Sequence, residues 1–150
     1  MRVGIAGYGV VGKKRHASII KNTNLQVTSI SEINPSARND IPKGVSIFNN
    51  YKDLIQKAEL DIIFISLPNK YASDAVSLSL ENGINVFCEK PPARTLNELL
   101  QVLKIFKKQS NLKLMYGFNH RFHLSVERAK SIIDAKTYGN IINLKGVYGK

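Results

Sequence analysis

Gly7-Tyr8-Gly9-Val10-Val11-Gly12 constrains this chain more than any bulk property does. The run reads G-x-G-x-x-G, and its neighbours give the pattern its weight. Arg2-Val3-Gly4-Ile5-Ala6, a short run of β character, precedes it, and a helical segment follows over about 11–21. Glycines at such a strand-to-helix turn have separate duties. Gly7 admits the tight turn, Gly9 lets the backbone approach a diphosphate, and Gly12 permits close contact between helix and strand. The helix start adds free N–H groups and the positive end of the helix dipole. The motif therefore predicts a dinucleotide cradle at Gly7, Tyr8, Gly9, Val10, Val11 and Gly12.

The rest of the chain repeats the alternation that the first turn begins. Short β-branched runs at 2–6, 25–31, 45–48, 61–67, 84–88 and 113–116 are separated by helical periods at 51–57, at 71–82 and from Thr95 onward. In the helix over 71–82, Ala72, Ala75, Val76 and Ser79 share one face, and Gly83 ends it. Thr95-Leu96-Asn97-Glu98 has the form of a capping box, and Leu96, Leu99, Leu100, Leu103 and Phe106 mark the apolar face that follows. Ile62-Ile63-Phe64-Ile65 is continuously apolar, as in a central strand covered on both faces. The fold class is thus α/β: a Rossmann-type, mainly parallel sheet with helices on both faces. Past Tyr116 the character changes. A linker helix is expected over 124–135, then a strand from Ile141 that would open a second sheet. Residues 1–118 form the cofactor-binding domain in this reading, and 119–150 form the linker and the first strand of a substrate domain.

Composition excludes several alternatives. At 150 residues with 43% apolar and 22% charged side chains, the chain is one ordinary globular domain, not a disordered or disulfide-stapled one. Cys88 is the single cysteine and has no internal partner for a bridge. The apolar run at 62–67 is far shorter than the ~20 residues of a membrane-spanning helix, and the amino terminus shows no signal-peptide pattern, so a reducing, cytoplasmic setting is expected. The net charge of +11, from 22 Lys and Arg against 11 Asp and Glu, raises nucleic acid as a partner. Its lysines are scattered over polar helix faces without an aromatic-interleaved basic stripe, which favours an anionic small ligand instead.

Glu32 stands at the end of the second strand, about 20 residues beyond the glycine loop, where a carboxylate accepts hydrogen bonds from an adenosine ribose and repels a 2′-phosphate. The cofactor indicated is NAD, with NADP as the alternative: Arg38 is either a clamp for a 2′-phosphate or a solvated loop arginine. Lys13, Lys14 and Arg15 either raise the potential at the diphosphate or coat the helix. His16 falls on the inner face of the first helix, where a packed structural role is expected. No group of Cys, His, Asp and Glu has metal-ligand spacing.

Three later segments, Ile65-Ser66-Leu67-Pro68-Asn69, Val86-Phe87-Cys88-Glu89-Lys90-Pro91 and Asn119-His120-Arg121-Phe122, join the glycine loop in a pattern that resembles the glucose–fructose oxidoreductase / inositol dehydrogenase superfamily over nearly the whole chain. The resemblance implies hydride transfer between a nicotinamide and a hydroxyl of a sugar, cyclic polyol or nucleotide-sugar. It makes Lys90 the catalytic or substrate-orienting amine, a cofactor contact as well, which as a proton-transfer group would be buried and desolvated. It makes Glu89 the ligand of the nicotinamide ribose and Pro91, often cis in the family, the residue that forces the turn. Leu67, Pro68 and Asn69 resemble the loop beneath the riboses, and Asn119 and Arg121 match a short motif facing the active site, although Arg121 equally suits a structural ion pair. Tyr71 and Ala72 depart from the family pattern, in which a histidine is common. The family's proton-accepting histidine belongs to a following α/β region, and nothing in residues 1–150 supplies it, so the chain alone is expected to be inactive. Self-association through the second sheet is a further expectation, because an unpaired strand over 141–149 templates pairing. The competing reading is a non-catalytic module that senses NAD(P).

Overall fold

The computed structural model describes residues 1–147. They fall into two compact units, Met1–Gly117 and a second from Phe118 onward. The first unit is built on a six-stranded sheet in the order β3-β2-β1-β4-β5-β6. Its strands are β1 (Arg2–Ala6), β2 (Gln26–Ser31), β3 (Ser46–Phe48), β4 (Ile62–Ile65), β5 (Asn85–Cys88) and β6 (Leu114–Tyr116), each parallel to its neighbours. Between them run α1 (Val10–Ile19), α2 (Pro35–Arg38), α3 (Tyr51–Lys57), α4 (Asn69–Glu81) and α5 (Leu96–Phe106).

Alternation along the strands divides the core in two. Ile63 and Ile65 of β4 join Val86 and Cys88 of β5 beneath Val76 and Leu80 of α4. On the other face, Val3 and Ile5 of β1 meet Val27 and Ile30 of β2 and Ile19 of α1. β1 and β4 are adjacent while their sequence neighbours β2 and β5 lie on opposite sides, so the strand order reverses between them. In parallel sheets, ligands bind beyond the carboxyl ends of the strands at such a reversal. The loops after β1, β2, β4 and β5 therefore border the crevice at this reversal.

Three local expectations need amendment. In α5 the fully buried residue is Val102, while Leu96, Leu100 and Leu103 are exposed. Leu99, Ile105 and Phe106 accompany Val102 inward, and because the helix is apolar around most of its circumference, spacing alone does not choose its buried stripe. The capping box is half formed: Thr95 accepts from the Glu98 N–H at 3.3 Å, but the Glu98 carboxylate reaches past Thr95 to the N–H of Arg94 at 3.0 Å. The single turn α2 was not expected; Asn34 caps it, accepting from Ser36 N–H at 3.1 Å, with Pro35 opening it.

The second unit holds a 3-10 helix (Asn119–Phe122) and α6 (Leu124–Asp134). The strand expected from Ile141 does not form over 141–147, which takes no regular secondary structure. Without a neighbouring strand an extended segment gains no ladder hydrogen bonds, so β character in the residues is not enough. The remainder of that expected strand, 148–150, lies outside the described residues. No helix among the described residues is long and apolar enough to cross a membrane.

Candidate functional site

Gly7 has φ +87, and a Cβ there would lie 2.6 Å from the carbonyl oxygen of Ser66. At Gly12 a Cβ would lie 2.1 Å from the carbonyl oxygen of Gly7, so α1 can approach the loop only without a side chain. Gly9 is different. Its φ of −70 suits any residue, and a Cβ there would meet nothing within 4 Å. Nothing in the described residues requires a glycine at 9, and the backbone there is open to a ligand. α1 opens with no side-chain cap at Gly9, and its first intrahelical bond is Lys13 N–H to Gly9 C=O at 3.0 Å. The N–H groups of Val10, Val11 and Gly12 precede that bond and have no helical acceptor. An anion is the natural partner.

The Tyr8 side chain turns away from this mouth into the core, where its hydroxyl pairs with His16 Nδ1 at 2.6 Å. Burial pushes the Tyr8 pKa up and the His16 pKa down. Tyr8 N–H donates to Glu32 Oε2 at 2.7 Å, and Asn34 N–H donates to Glu32 Oε1 at 2.8 Å. Glu32 is thereby fixed at the end of β2 against the glycine loop. Arg38 donates from Nε to the Glu32 carbonyl at 2.7 Å, which ties its stem to the same turn. Lys13 forms an ion pair with Asp40.

Glu32 borders a cleft of about 560 Å³ whose walls include Gly7, Gly9, Leu67, Pro68 and Tyr71. Ser31, Ile33, Asn50, Tyr51 and Ser66 also line it and were not anticipated. All five sit just beyond or at the carboxyl ends of β2, β3 and β4, a position that could have marked them once the strands were placed. Tyr51 donates to Asp74 Oδ2 at 2.6 Å and stands 6.1 Å, ring to ring, from Tyr71, so α3 and α4 share this wall. Burial, reinforced by Asp74, pushes the Tyr51 pKa up. The buried Oγ of Ser66 has no hydrogen-bond partner among the described residues. An open backbone at Gly9, unfilled N–H groups on α1 and an acidic group at the end of β2 fit a dinucleotide.

A family model described as "Oxidoreductase family, NAD-binding Rossmann fold" matches residues 1–118. The chain belongs to that family. D-glucoside 3-dehydrogenase of Escherichia coli (strain K12) is 26% identical over 145 residues, 94% of this chain and 41% of the enzyme. Scyllo-inositol dehydrogenase from Lactobacillus casei, solved with bound NAD(H) and scyllo-inositol, superposes with a TM-score of 0.84 at 27% identity, over 93% of this chain and 42% of that one. Myo-inositol 2-dehydrogenase from Lactobacillus plantarum gives a TM-score of 0.83 at 31% identity, over 95% and 43%. The chain spans about two fifths of the length of the curated relatives it matches. As an NAD-binding Rossmann unit it takes NAD as its cofactor.

The family's Glu-Lys-Pro segment follows β5. The Lys90–Pro91 peptide is cis, as the resemblance implied. Glu89 N–H donates to Ile65 C=O at 2.9 Å, and its half-buried carboxylate is held by Arg15 of α1, from Nε at 2.6 Å and also from Nη2. The Arg15 guanidinium is thus engaged by Glu89 instead of coating the helix as a solvated charge. Lys90 is exposed, not buried as its expected role suggested, because no part of the first unit folds over it. Cys88 is fully buried and its thiol is pushed up to about 12, first by burial and then by Glu89, which leaves it un-ionised and inert at neutral pH. Asn69 is exposed on the first turn of α4 and does not line the cleft. Asn119 and Arg121 lie on the 3-10 helix of the second unit, both exposed, and their role rests on the resemblance alone.

Proposed function

We propose that this chain is the cofactor-binding portion of a dehydrogenase acting on a secondary hydroxyl of a sugar or cyclic polyol. The observation that carries the proposal is Gly9: an ordinary backbone conformation with open space where a side chain would be, beside the unfilled N–H groups of α1. The relatives' names supply the substrate class, inositols and a D-glucoside. The non-catalytic alternative finds no support among them. NAD is preferred to NADP, because the Glu32 carboxylate, pinned by the Tyr8 and Asn34 N–H groups, stands where a 2′-phosphate would meet a negative charge.

When bound, a nicotinamide supplies the hydride acceptor for the alcohol carbon. Val10, Val11 and Gly12 hold the diphosphate through their N–H groups, while Glu32 takes the adenosine ribose. Leu67 and Pro68 floor the site, with Asn69 beside them. Lys90 Nζ meets the substrate hydroxyl, and its exposure makes it available to a substrate carried by a further domain. The first unit binds NAD, and the segment from 119 leads into that domain. Self-association through a second sheet rests on the β character of 141–149, which 141–147 does not display. A cytoplasmic setting belongs to the same reading.

Titrating the purified chain with NADH while following nicotinamide fluorescence tests it. Saturable binding, with NADPH weaker, is expected. Absence of binding at millimolar NADH would remove the central claim.

A further inference from the structure

Arg15 spends its guanidinium on one carboxylate oxygen. Nε and Nη2 both donate to Glu89 Oε1, and the guanidinium carbon lies 5.0 Å over the ring centre of Phe87. The pair is not a loose surface contact: side-chain exposure is 31% for Arg15 and 17% for Glu89. On the other side of the carboxylate, a Cβ at Gly117 would lie 3.0 Å from Oε2. Gly117 is itself fixed, donating its N–H to Cys88 C=O at 2.8 Å. Helix α1, the ring from β5 and the turn after β6 therefore leave the carboxylate one orientation. Oε1 is consumed by Arg15, and Oε2 accepts no hydrogen bond among the described residues. Glu89 thus presents a single oriented acceptor next to the cis Lys90–Pro91 turn.

We propose that Arg15 is a positioning residue for the nicotinamide end of the cofactor, acting through Glu89 by holding Oε2 free and directed. This rests on the NAD-binding reading and on Glu89 as a ligand of the nicotinamide ribose. Arg15 belongs to the helix that opens at the glycine loop, so the same element cradles the diphosphate and orients a group at the opposite end of the dinucleotide. Two donors of a rigid, planar guanidinium converging on Oε1, with the plane packed over Phe87, hold that oxygen in place, which the flexible point charge of a lysine ammonium does not.

The test compares NADH with ADP on the 150-residue chain. ADP carries the adenosine and diphosphate but no nicotinamide ribose. Arg15→Met should weaken NADH about tenfold, a step of ~1.4 kcal/mol, and leave ADP within about twofold. Arg15→Lys, which keeps the charge but not the fork, should fall between; it also carries the comparison if the Met variant, which leaves a half-buried carboxylate unpaired, fails to fold. In a Glu89→Gln background Arg15→Met should add little further loss, as expected for two residues acting through one contact. Parallel loss of ADP and NADH overturns the proposal, since it would make Arg15 a support of the helix. So does an unchanged NADH affinity, or a loss that persists in full without the Glu89 carboxylate. A wild-type chain that binds neither ligand would sink the cofactor reading itself, whereas normal ADP binding with no response to Arg15 would sink the positioning role alone.

Discussion

Substituting alanine at Gly9 and at Gly12 separates what the glycine loop does for the protein from what it does for the ligand. At Gly12 the new methyl would lie 2.1 Å from the Gly7 carbonyl oxygen. Reaching ordinary contact requires a displacement of roughly 1 Å between α1 and the loop, and overpacking of this kind costs ~1–3 kcal/mol. With about 1 kcal/mol corresponding to a melting shift of roughly 2–4 °C in a chain of 150 residues, Gly12→Ala should melt measurably lower and bind NADH poorly. At Gly9 the methyl meets nothing within 4 Å at a φ that alanine adopts freely. Alanine is a poorer N-cap than glycine, while the restricted unfolded chain returns ~0.4–1 kcal/mol, so the two effects leave stability within about 1 kcal/mol of the parent. Binding should nevertheless fall more than about tenfold, because the methyl occupies the space through which a diphosphate reaches the backbone. Thermal melts by circular dichroism, run beside NADH titrations of the same samples, give both numbers. If Gly9→Ala binds NADH within about twofold of the parent, the cofactor does not lie against Gly9 and the reasoning from open space is wrong.

Glu32→Ser should shift the preference toward NADPH and weaken NADH by the order of one charge-assisted hydrogen bond, ~1.5–3 kcal/mol; an unchanged preference would reduce Glu32 to a brace for Tyr8 and Asn34. Lys90→Met, made in a full-length relative carrying this unit, should lower turnover by ~10²–10⁴ and keep dinucleotide affinity within about tenfold. A large affinity loss would make Lys90 a cofactor anchor instead. For His16, burial depresses the folded pKa below the ordinary 6.5, so the unfolded chain binds the extra proton first. Its contribution to stability is present near neutrality and lost as the pH falls from about 6.5 through the folded value. Melting temperature should therefore drop between pH 7.5 and 5.5, and His16→Phe should flatten that slope; an equal slope in the variant would assign the pH dependence elsewhere.

The strands were legible because their side chains must satisfy two buried faces, and Ile62-Ile63-Phe64-Ile65 has no other way to be accommodated in a chain of this length. The glycine loop was legible for the same local reason: backbone conformation and close approach restrict residue choice wherever the rest of the chain lies. Tertiary pairings were not. Nothing in the spacing of Arg15 and Glu89, 74 positions apart, shows that α1 brings one over the other. The cleft wall from Tyr51 and Tyr71 likewise depends on α3 and α4 meeting, which requires the strand order. The buried stripe of α5 was misplaced since two overlapping sets of apolar residues satisfy the helical period, and only tertiary packing, chiefly against α4, chooses Val102 over Leu100. The strand expected at Ile141 failed for a different reason, as strand propensity without a partner is no more than a tendency.

The basic run Lys13-Lys14-Arg15 shows how the site handles charge. On sequence alone it offers three cations next to the diphosphate, yet the Lys13 amine goes to Asp40 and the Arg15 guanidinium to Glu89. Of the three, Lys14 alone stays exposed without an ion pair among the described residues. The diphosphate of the proposed site is left mainly to backbone, the N–H groups of Val10, Val11 and Gly12, reinforced by the helix dipole. Those donors are fixed by the fold and keep their direction whether or not a ligand is bound. The two acidic groups expected at the ends of the dinucleotide are each tied to the glycine-loop segment, Glu32 through Tyr8 N–H and Glu89 through Arg15. A carboxylate left untethered near a diphosphate would repel it and swing away. Glu32 is held on both oxygens, by Tyr8 N–H and Asn34 N–H, and Glu89 on Oε1 alone. In the proposed site each keeps lone pairs for a ribose hydroxyl. In the proposed site the glycine loop and α1 thus set the spacing between the two carboxylates, Glu32 through Tyr8 N–H and Glu89 through Arg15.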